Sequence, residues 1–177
     1  MSSIIKVNTY QDANGNALFS SDGSGNITGN NLLTPAFQAK MSGNQSISDN
    51  VYTKVEFDTE DYDTNSMYDT STYRFTPTIA GKYYVYTYAG LSAEANSELI
   101  NAKLSIYLNG TQHLFGYMSM SSNYTEIVNI TTVGVVDMNG STDYIEVYAS
   151  INTVSTTPQV KGTENRARFG AYKIIGA

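Results

Sequence analysis

From Pro35 onward, apolar and polar residues alternate one by one in a series of short segments. Successive side chains of a β-strand point to opposite faces, so this alternation predicts strands with one buried and one exposed face. The strongest example is residues 82–89, where Tyr83, Val85 and Thr87 share one face. Similar segments occupy residues 36–40, 51–57, 72–75, 103–108, 111–120, 126–136, 144–151 and 167–175. The pattern predicts an all-β chain.

Turn signals separate these segments. Asn109-Gly110 is a two-residue hairpin signal, because both central positions of a type I′ turn need a positive φ, and Asn139-Gly140 marks a further turn. Residues 92–100 alone have a helix-like composition, and the segment is too short to change the class. Closely spaced antiparallel strands of this kind are typical of a β-sandwich.

Charge and composition exclude several functions. The chain has 177 residues, a net charge of −6 and only 10 Lys and Arg, with no basic run. A nucleic-acid partner is therefore not expected. The first ten residues lack a signal-peptide pattern, and no apolar run has the length of a membrane helix, so neither export nor membrane insertion is expected. The absence of cysteine fits folding in a reducing cytosol.

The first 34 residues differ from the remainder. Two turn clusters, residues 12–15 and 22–26, flank the short apolar stretch Ala17-Leu18-Phe19. Because this segment is too small for a core of its own, we expect an extended arm or small hairpin supported by a neighbour. We divide the chain into an arm, residues 1–34, and a sandwich domain, residues 35–177. The arm is interpreted as an attachment or trimerisation segment, with a partly ordered tail as the alternative.

Three tyrosines occupy the second face of the strongest strand. Tyr84, Tyr86 and Tyr88 alternate with the residues that face the core. A row of aromatic rings outside the core is typical of a subunit interface. The alternative is that the rings merely cover neighbouring surface side chains.

No pattern indicates catalysis. His113 is the single histidine, and its position near a turn favours an ordinary surface role. The sequence has no phosphate-binding or dinucleotide-binding fingerprint. A polysaccharide-degrading enzyme would need a carboxylate pair in a cleft, and none stands out. We therefore expect a protein that is not an enzyme.

One acidic cluster could supply oxygen ligands. Asp58, Glu60, Asp61 and Asp63 lie within six residues, and carboxylates of this kind bind Ca²⁺. The spacing is not that of an EF-hand. A solvated loop is the favoured interpretation, with calcium as the minority alternative and no other cofactor expected.

Several segments in order resemble the globular head of complement component C1q and the tumour-necrosis-factor-like jelly roll. Residues 35–39 (PAFQA) are similar to the opening strand of that family, and residues 73–85 to its aromatic strand, proline bend and following strand. Residues 104–110 resemble its strand that ends in an Asn-Gly turn, and residues 169–174 its closing strand. The resemblance covers residues 35–177 and implies an antiparallel jelly-roll β-sandwich that forms a homotrimer.

No collagen-like repeat precedes this domain, and residues 14–28 instead resemble the lead-in segments of bacteriophage fibre proteins. The resulting hypothesis is a structural protein of a phage virion, assembled in the host cytoplasm: a tail or head fibre, spike or knob. The arm would contact other virion proteins, and the head would face a host cell-surface glycan or protein. The alternative is a stand-alone soluble C1q-like lectin or ligand-type binding module. No ligand-binding residue can be assigned from the sequence.

Overall fold

The computed structural model describes residues 7–28, 34–121 and 125–174. Contacts divide the chain into two compact units, with the boundary between Thr34 and Pro35. The strands, in chain order, are β1 (Thr9–Gln11), β2 (Ala17–Ser21), β3 (Ile27–Thr28), β4 (Ala36–Lys40), β5 (Gln45–Ser46), β6 (Thr53–Lys54), β7 (Thr59–Asp63), β8 (Tyr68–Asp69), β9 (Arg74–Phe75), β10 (Gly81–Ser92), β11 (Leu99–Leu108), β12 (Thr111–Ser119), β13 (Ile127–Met138), β14 (Ile145–Thr153), β15 (Gln159–Lys161) and β16 (Ala167–Lys173). A 3-10 turn at Thr163–Asn165 precedes β16. Within the described ranges, no helix has the length and apolar character needed to cross a membrane.

The first unit contains a small antiparallel sheet in the order β1-β2-β3. Its two turns are built alike, because each begins with an aspartate whose carboxylate accepts backbone N–H groups. Asp12 accepts from Asn14 and Asn16, both at 2.9 Å. Asp22 accepts from Ser24 at 2.7 Å and from Asn26 at 3.2 Å. These bonds satisfy the turn backbone locally.

This small sheet leaves large apolar side chains in solvent. Tyr10 and Phe19 stack across β1 and β2 with ring centroids 4.4 Å apart, yet both remain exposed, as do Leu18 and Ile27. Three short strands without a buried face have little stability of their own. The described part of the arm therefore depends on further contacts for stability.

The second unit is a sandwich of two antiparallel sheets. The larger sheet has the order β5-β15-β10-β16-β4-β7, and β13 pairs along the other edge of β10. The smaller sheet has the order β12-β11-β14-β9-β8, and β6 also pairs with β14. Strand β10 is paired along both edges, so its backbone polar groups are satisfied within the chain.

Aromatic rings fill the centre of the sandwich. Phe37 of β4 stacks on Phe75 at 4.4 Å and on Tyr68 at 4.8 Å, and meets Phe169 edge-on at 5.0 Å. Phe37, Phe75 and Phe169 are fully buried. Close aromatic packing of this kind adds to the stabilisation gained from burial alone. The core thus holds β4 against β16, which lies beside β10 in the larger sheet.

The predicted hairpin at Asn109-Gly110 is confirmed. Asn109 has a φ of 51° and Gly110 a φ of 77°, as a type I′ turn requires. The turn joins β11 to β12, and the backbone N–H of Tyr144 donates to the side-chain oxygen of Asn109 at 3.0 Å. The side chain of Asn109 therefore ties this hairpin to the chain just before β14.

One sequence expectation is wrong in detail. In residues 51–57 only Thr53–Lys54 forms a strand, because the N–H of Glu56 donates to the side chain of Gln45 and not to a strand ladder. Val55 and Phe57 are nevertheless buried, whereas Val51 is exposed.

Residues 92–100 form no helix despite their helix-like composition. Glu94 and Ser97 have φ values of 63° and 64°, which a right-handed helix cannot contain.

Candidate functional site

The outer face of the larger sheet carries a row of rings. Residues 82–89 of strand β10 alternate strictly: Tyr83, Val85 and Thr87 are fully buried in the sandwich. The side chains between them must point outward because of the strand period of two. Tyr84, Tyr86 and Tyr88, the tyrosines expected at an interface, therefore lie on the outer face, where each is half-buried.

Neighbouring strands extend this row into a surface. Tyr84 lies opposite Tyr172 on β16, with ring centroids 5.2 Å apart, and opposite Val135 on β13. Tyr86 lies opposite Val133 on the same strand. Tyr172 and both valines are exposed, Val133 by 48%. We call this surface the tyrosine face; its members are Tyr62, Tyr84, Tyr86, Tyr88, Val133, Val135 and Tyr172.

A glycine and a glutamine hold Tyr86 flat against the sheet. A Cβ at Gly170 would overlap the Tyr86 hydroxyl oxygen, so the ring crosses β16 only because this residue has no side chain. The hydroxyl donates to Oε1 of Gln38 at 2.8 Å. Burial raises the pKa of Tyr86, so the phenol stays neutral. The ring is thus held flat against the sheet, where it forms a neutral, apolar surface.

An ionic cluster borders the tyrosine face. One oxygen of Asp61 lies 2.8 Å from Nζ of Lys40, and the other lies 2.9 Å from Nε of Arg168. Nε2 of Gln38 also donates to Asp61 at 2.9 Å. The hydrogen bond from Lys40, with support from Gln38 and Arg168, holds the pKa of Asp61 below its usual range. Gln38 therefore links this cluster to the hydroxyl of Tyr86.

The four acidic residues predicted as possible calcium ligands have different partners. Asp61 forms the ionic cluster, while Asp58 accepts from the backbone N–H of Ser42 at 2.8 Å and from its hydroxyl. Asp63 accepts from the N–H groups of Asn65 at 3.1 Å and Tyr68 at 2.7 Å, and Glu60 is exposed. Across the part of the chain that the structure describes, no three acidic, His or Cys side chains are placed to hold a metal ion. Calcium binding remains a prediction to be tested with a chelator.

Sequence reasoning found one strand of the tyrosine face and missed the others. Tyr172, Val133 and Val135 lie far from β10 in sequence, and only strand pairing brings them beside it. Tyr62 lies farther along the same sheet, on β7, which pairs with β4. Tyr172 alternates with inward residues in β16 and could have been found by the same argument as Tyr84.

Two further sequence features contribute no site. His113 is exposed on β12, as its position beside a turn predicts. The stretch rich in Met and Tyr that begins at Met118 continues into residues 122–124, which lie outside the described residues. The tyrosine face is therefore the surface on which a functional argument can be built.

Comparison with known proteins identifies the fold. No protein-family profile and no curated protein matches the sequence. Among solved structures, murine APRIL at pH 5.0 matches with a TM-score of 0.61 and 12% identity over 80% of this chain and 100% of its own. The globular domain of zebrafish complement 1qA protein matches with a TM-score of 0.51 and 16% identity over 80% and 98%. Eiger TNF from S. frugiperda matches with a TM-score of 0.53 and 10% identity over 82% and 94%.

These likenesses define the class: residues from Pro35 onward form an antiparallel jelly-roll sandwich of the C1q and tumour-necrosis-factor type. The fold predicted from the sequence is confirmed. At identities of 10–16%, the likenesses show the fold alone, because one fold hosts many functions.

Proposed function

We propose that three copies of this chain assemble through the tyrosine face into a non-enzymatic display module. The observation that carries the proposal is the row of four tyrosines and two valines across β10, β13 and β16, which is apolar, rigid and partly exposed. Exposed apolar patches of this kind mark interaction sites, and tyrosine is enriched in interfaces. The resemblance to the C1q and tumour-necrosis-factor jelly roll implies that the assembly is a homotrimer.

Face-to-face association suits the strand pairing of this sheet. Because β10 is hydrogen-bonded along both edges, it cannot associate by adding a strand from another copy. Its outward side chains remain available for contact. The ionic cluster of Lys40, Asp61 and Arg168 then lies at the border, as polar groups commonly do around an apolar interface.

A single introduced thiol tests this interface, because the chain has no cysteine of its own. Val133→Cys places the thiol on the tyrosine face, and Val154→Cys is the control on an equally exposed residue elsewhere, since the two valines are 48% and 54% exposed. We expect maleimide to react at least about tenfold more slowly at residue 133, because only dissociated chains expose it. Equal rates in the assembled protein would rule out a covered tyrosine face.

We further propose that the trimer is an appendage of a bacteriophage virion: a tail or head fibre, spike or knob. The small sheet of the arm supports an attachment role, because its exposed Tyr10, Leu18, Phe19 and Ile27 need a partner. Other virion proteins would cover these side chains. The jelly roll would then face outward, toward a glycan or protein on the host cell.

Removing residues 1–34 tests the attachment role. Since the buried core residues among those that the structure describes all follow Pro35, the shortened chain should still fold and assemble. We expect it to be absent from purified particles, as measured by immunoblot against the full-length chain. Incorporation at the full-length level would refute attachment through the arm.

A stand-alone binding module is the second candidate function. It is favoured by the solved structures that this chain resembles, one of which is the globular domain of a complement protein. Under this alternative the full-length chain occurs free in solution and is not recovered with particles. The same immunoblot, applied to the soluble and particle fractions, separates the two candidates.

A further inference from the structure

The smaller sheet carries a second aromatic surface, on the opposite side of the sandwich from the tyrosine face. Leu104 and Ile106 of β11 are buried in the core, so Lys103 and Tyr107 point outward by the strand period. Strand pairing places Tyr117 of β12 beside Lys103. We call this surface the tyrosine-lysine face; its members are Tyr52, Lys54, Arg74, Lys103, Tyr107, Phe115, Tyr117 and Tyr148.

Three rings form a continuous row across this sheet. The centroids of Tyr107 and Tyr148 lie 4.3 Å apart, and those of Tyr52 and Tyr107 lie 6.4 Å apart. Tyr52 is exposed, and on β12 the rings of Phe115 and Tyr117 are exposed as well. Tyr52, Phe115 and Tyr117 therefore present exposed rings on this sheet, and Tyr107 and Tyr148 lie half-buried beside them.

Cations lie among the rings. Nζ of Lys103 is 5.6 Å from the ring centroid of Tyr52 and 5.4 Å from that of Tyr117. Nζ of Lys54 is 6.0 Å from the ring of Tyr148. These distances allow cation–π attraction, which holds the long side chains close to the aromatic surface. Each ammonium group thus lies over at least one aromatic ring.

Positive charge exceeds negative charge on this face. Within the described strands of this sheet the carboxylates are Asp69 of β8, which lies opposite Arg74, and Glu146 of β14, which is only 1% exposed. Glu146 is already paired with Lys54 and, at 3.0 Å, with Nε of Arg74. Lys103 has no carboxylate beside it on these strands. The face is locally cationic although the whole chain has a net charge of −6.

We propose that the tyrosine-lysine face binds an acidic oligosaccharide, with sugar rings stacked on Tyr107, Tyr148 and Tyr52 and a carboxylate held by Lys103. The negative face of an aromatic ring attracts the polarised C–H groups on the flat side of a sugar. The tyrosine hydroxyls and the lysine ammonium supply hydrogen bonds at the ring edges. The inference rests on the proposed display role and names the ligand class that the displayed head would meet.

Single-stranded nucleic acid would also use stacked rings and cations, but it favours a longer basic track. Binding along a phosphate backbone draws on several Lys and Arg contacts, and the salt-dependent gain grows with their number. This face offers three cations, of which two are engaged by Glu146.

The test uses a defined probe, the hexamer of galacturonic acid, titrated into the full-length protein by calorimetry. We expect saturable binding that weakens with added salt, and at least about tenfold weaker binding of the neutral hexamer maltohexaose. Tyr107→Ser and Tyr148→Ser should each weaken binding about tenfold, whereas Tyr107→Phe should retain it because the ring remains. Lys103→Met should weaken binding of the acidic hexamer and leave that of the neutral one unchanged.

Controls separate ligand binding from the display role. Tyr10→Ser removes an exposed tyrosine from the arm and should leave binding unchanged. The native mass of each variant is measured alongside, so that loss of assembly and loss of binding are observed independently. No saturable binding at about 1 mM hexamer, equal binding of Tyr107→Ser and wild type, or tighter binding of a twelve-residue oligothymidylate would each overturn the proposal.

Discussion

Changing both Tyr84 and Tyr86 to aspartate should convert the assembled protein into folded monomers. Both side chains point away from the sandwich core, so the substitution leaves the fold of the single chain intact. In an assembly, however, the two carboxylates of each copy would be buried against an apolar surface. An uncompensated buried charge costs roughly 3–5 kcal/mol. The dissociation constant should therefore rise at least about a thousandfold.

Sedimentation velocity and circular dichroism measure the two parts of this expectation. The variant should sediment as a single chain with the far-ultraviolet spectrum of the wild type. Tyr117→Asp is the matched control, because Tyr117 is an exposed tyrosine on the opposite face of the sandwich. That control should remain assembled. If the Tyr84 and Tyr86 double variant sediments like the wild type, the interface assignment is wrong.

Phe37→Ala should destabilise the sandwich strongly. The ring is 0% exposed and contacts Tyr68, Phe75 and Phe169 at once, so its removal leaves a cavity that β4 and β16 cannot close. Truncating a buried phenylalanine costs about 3–5 kcal/mol. Urea unfolding of the monomeric Tyr84 and Tyr86 double variant, with and without Phe37→Ala, measures this cost without a contribution from assembly.

Phe115→Ala provides the control for that measurement. Phe115 is the same residue type but is 58% exposed on β12, so its truncation should change the free energy of unfolding by less than about 0.5 kcal/mol. Equal losses for the two variants would mean that Phe37 does not lie in a packed core.

The strand period was enough to identify the buried and exposed sides of β10 from the sequence. Residues 82–89 of this strand alternate without interruption, and a slip of one residue would have placed Tyr84, Tyr86 and Tyr88 in the core and Tyr83 outside it. The Asn-Gly hairpin could be predicted equally well, because its backbone geometry depends only on neighbouring residues. These features depend on neighbouring residues alone, so the sequence pattern determines them.

The composition of each outer face could not be obtained in this way. Tyr172 and Val135 flank Tyr84 only through strand pairing across tens of residues. The row of Tyr52, Tyr107 and Tyr148 likewise depends on the pairing of β11 with β14. An alternating pattern specifies which side of its own strand a residue occupies and carries no information about the partner strand.

The acidic cluster shows the same limit. The sequence favoured a solvated loop, with calcium as the minority alternative, but the pairing of β4 with β7 and β16 brings Asp61 to Lys40 and Arg168. A side-chain partner likewise shortened the strand predicted over residues 51–57, because the N–H of Glu56 donates to the side chain of Gln45. In both places a distant polar side chain overrides a local pattern.

The native mass of the purified chain, measured by light scattering with and without EDTA, tests the central claim most directly. Assembly through the tyrosine face gives three times the chain mass of 19.3 kDa in both conditions, because aromatic packing needs no metal ion. A trimer that dissociates in EDTA would mean that a metal site that includes the acidic cluster of residues 58–63 holds the three chains together. A mass of one chain in both conditions would contradict the proposed trimer.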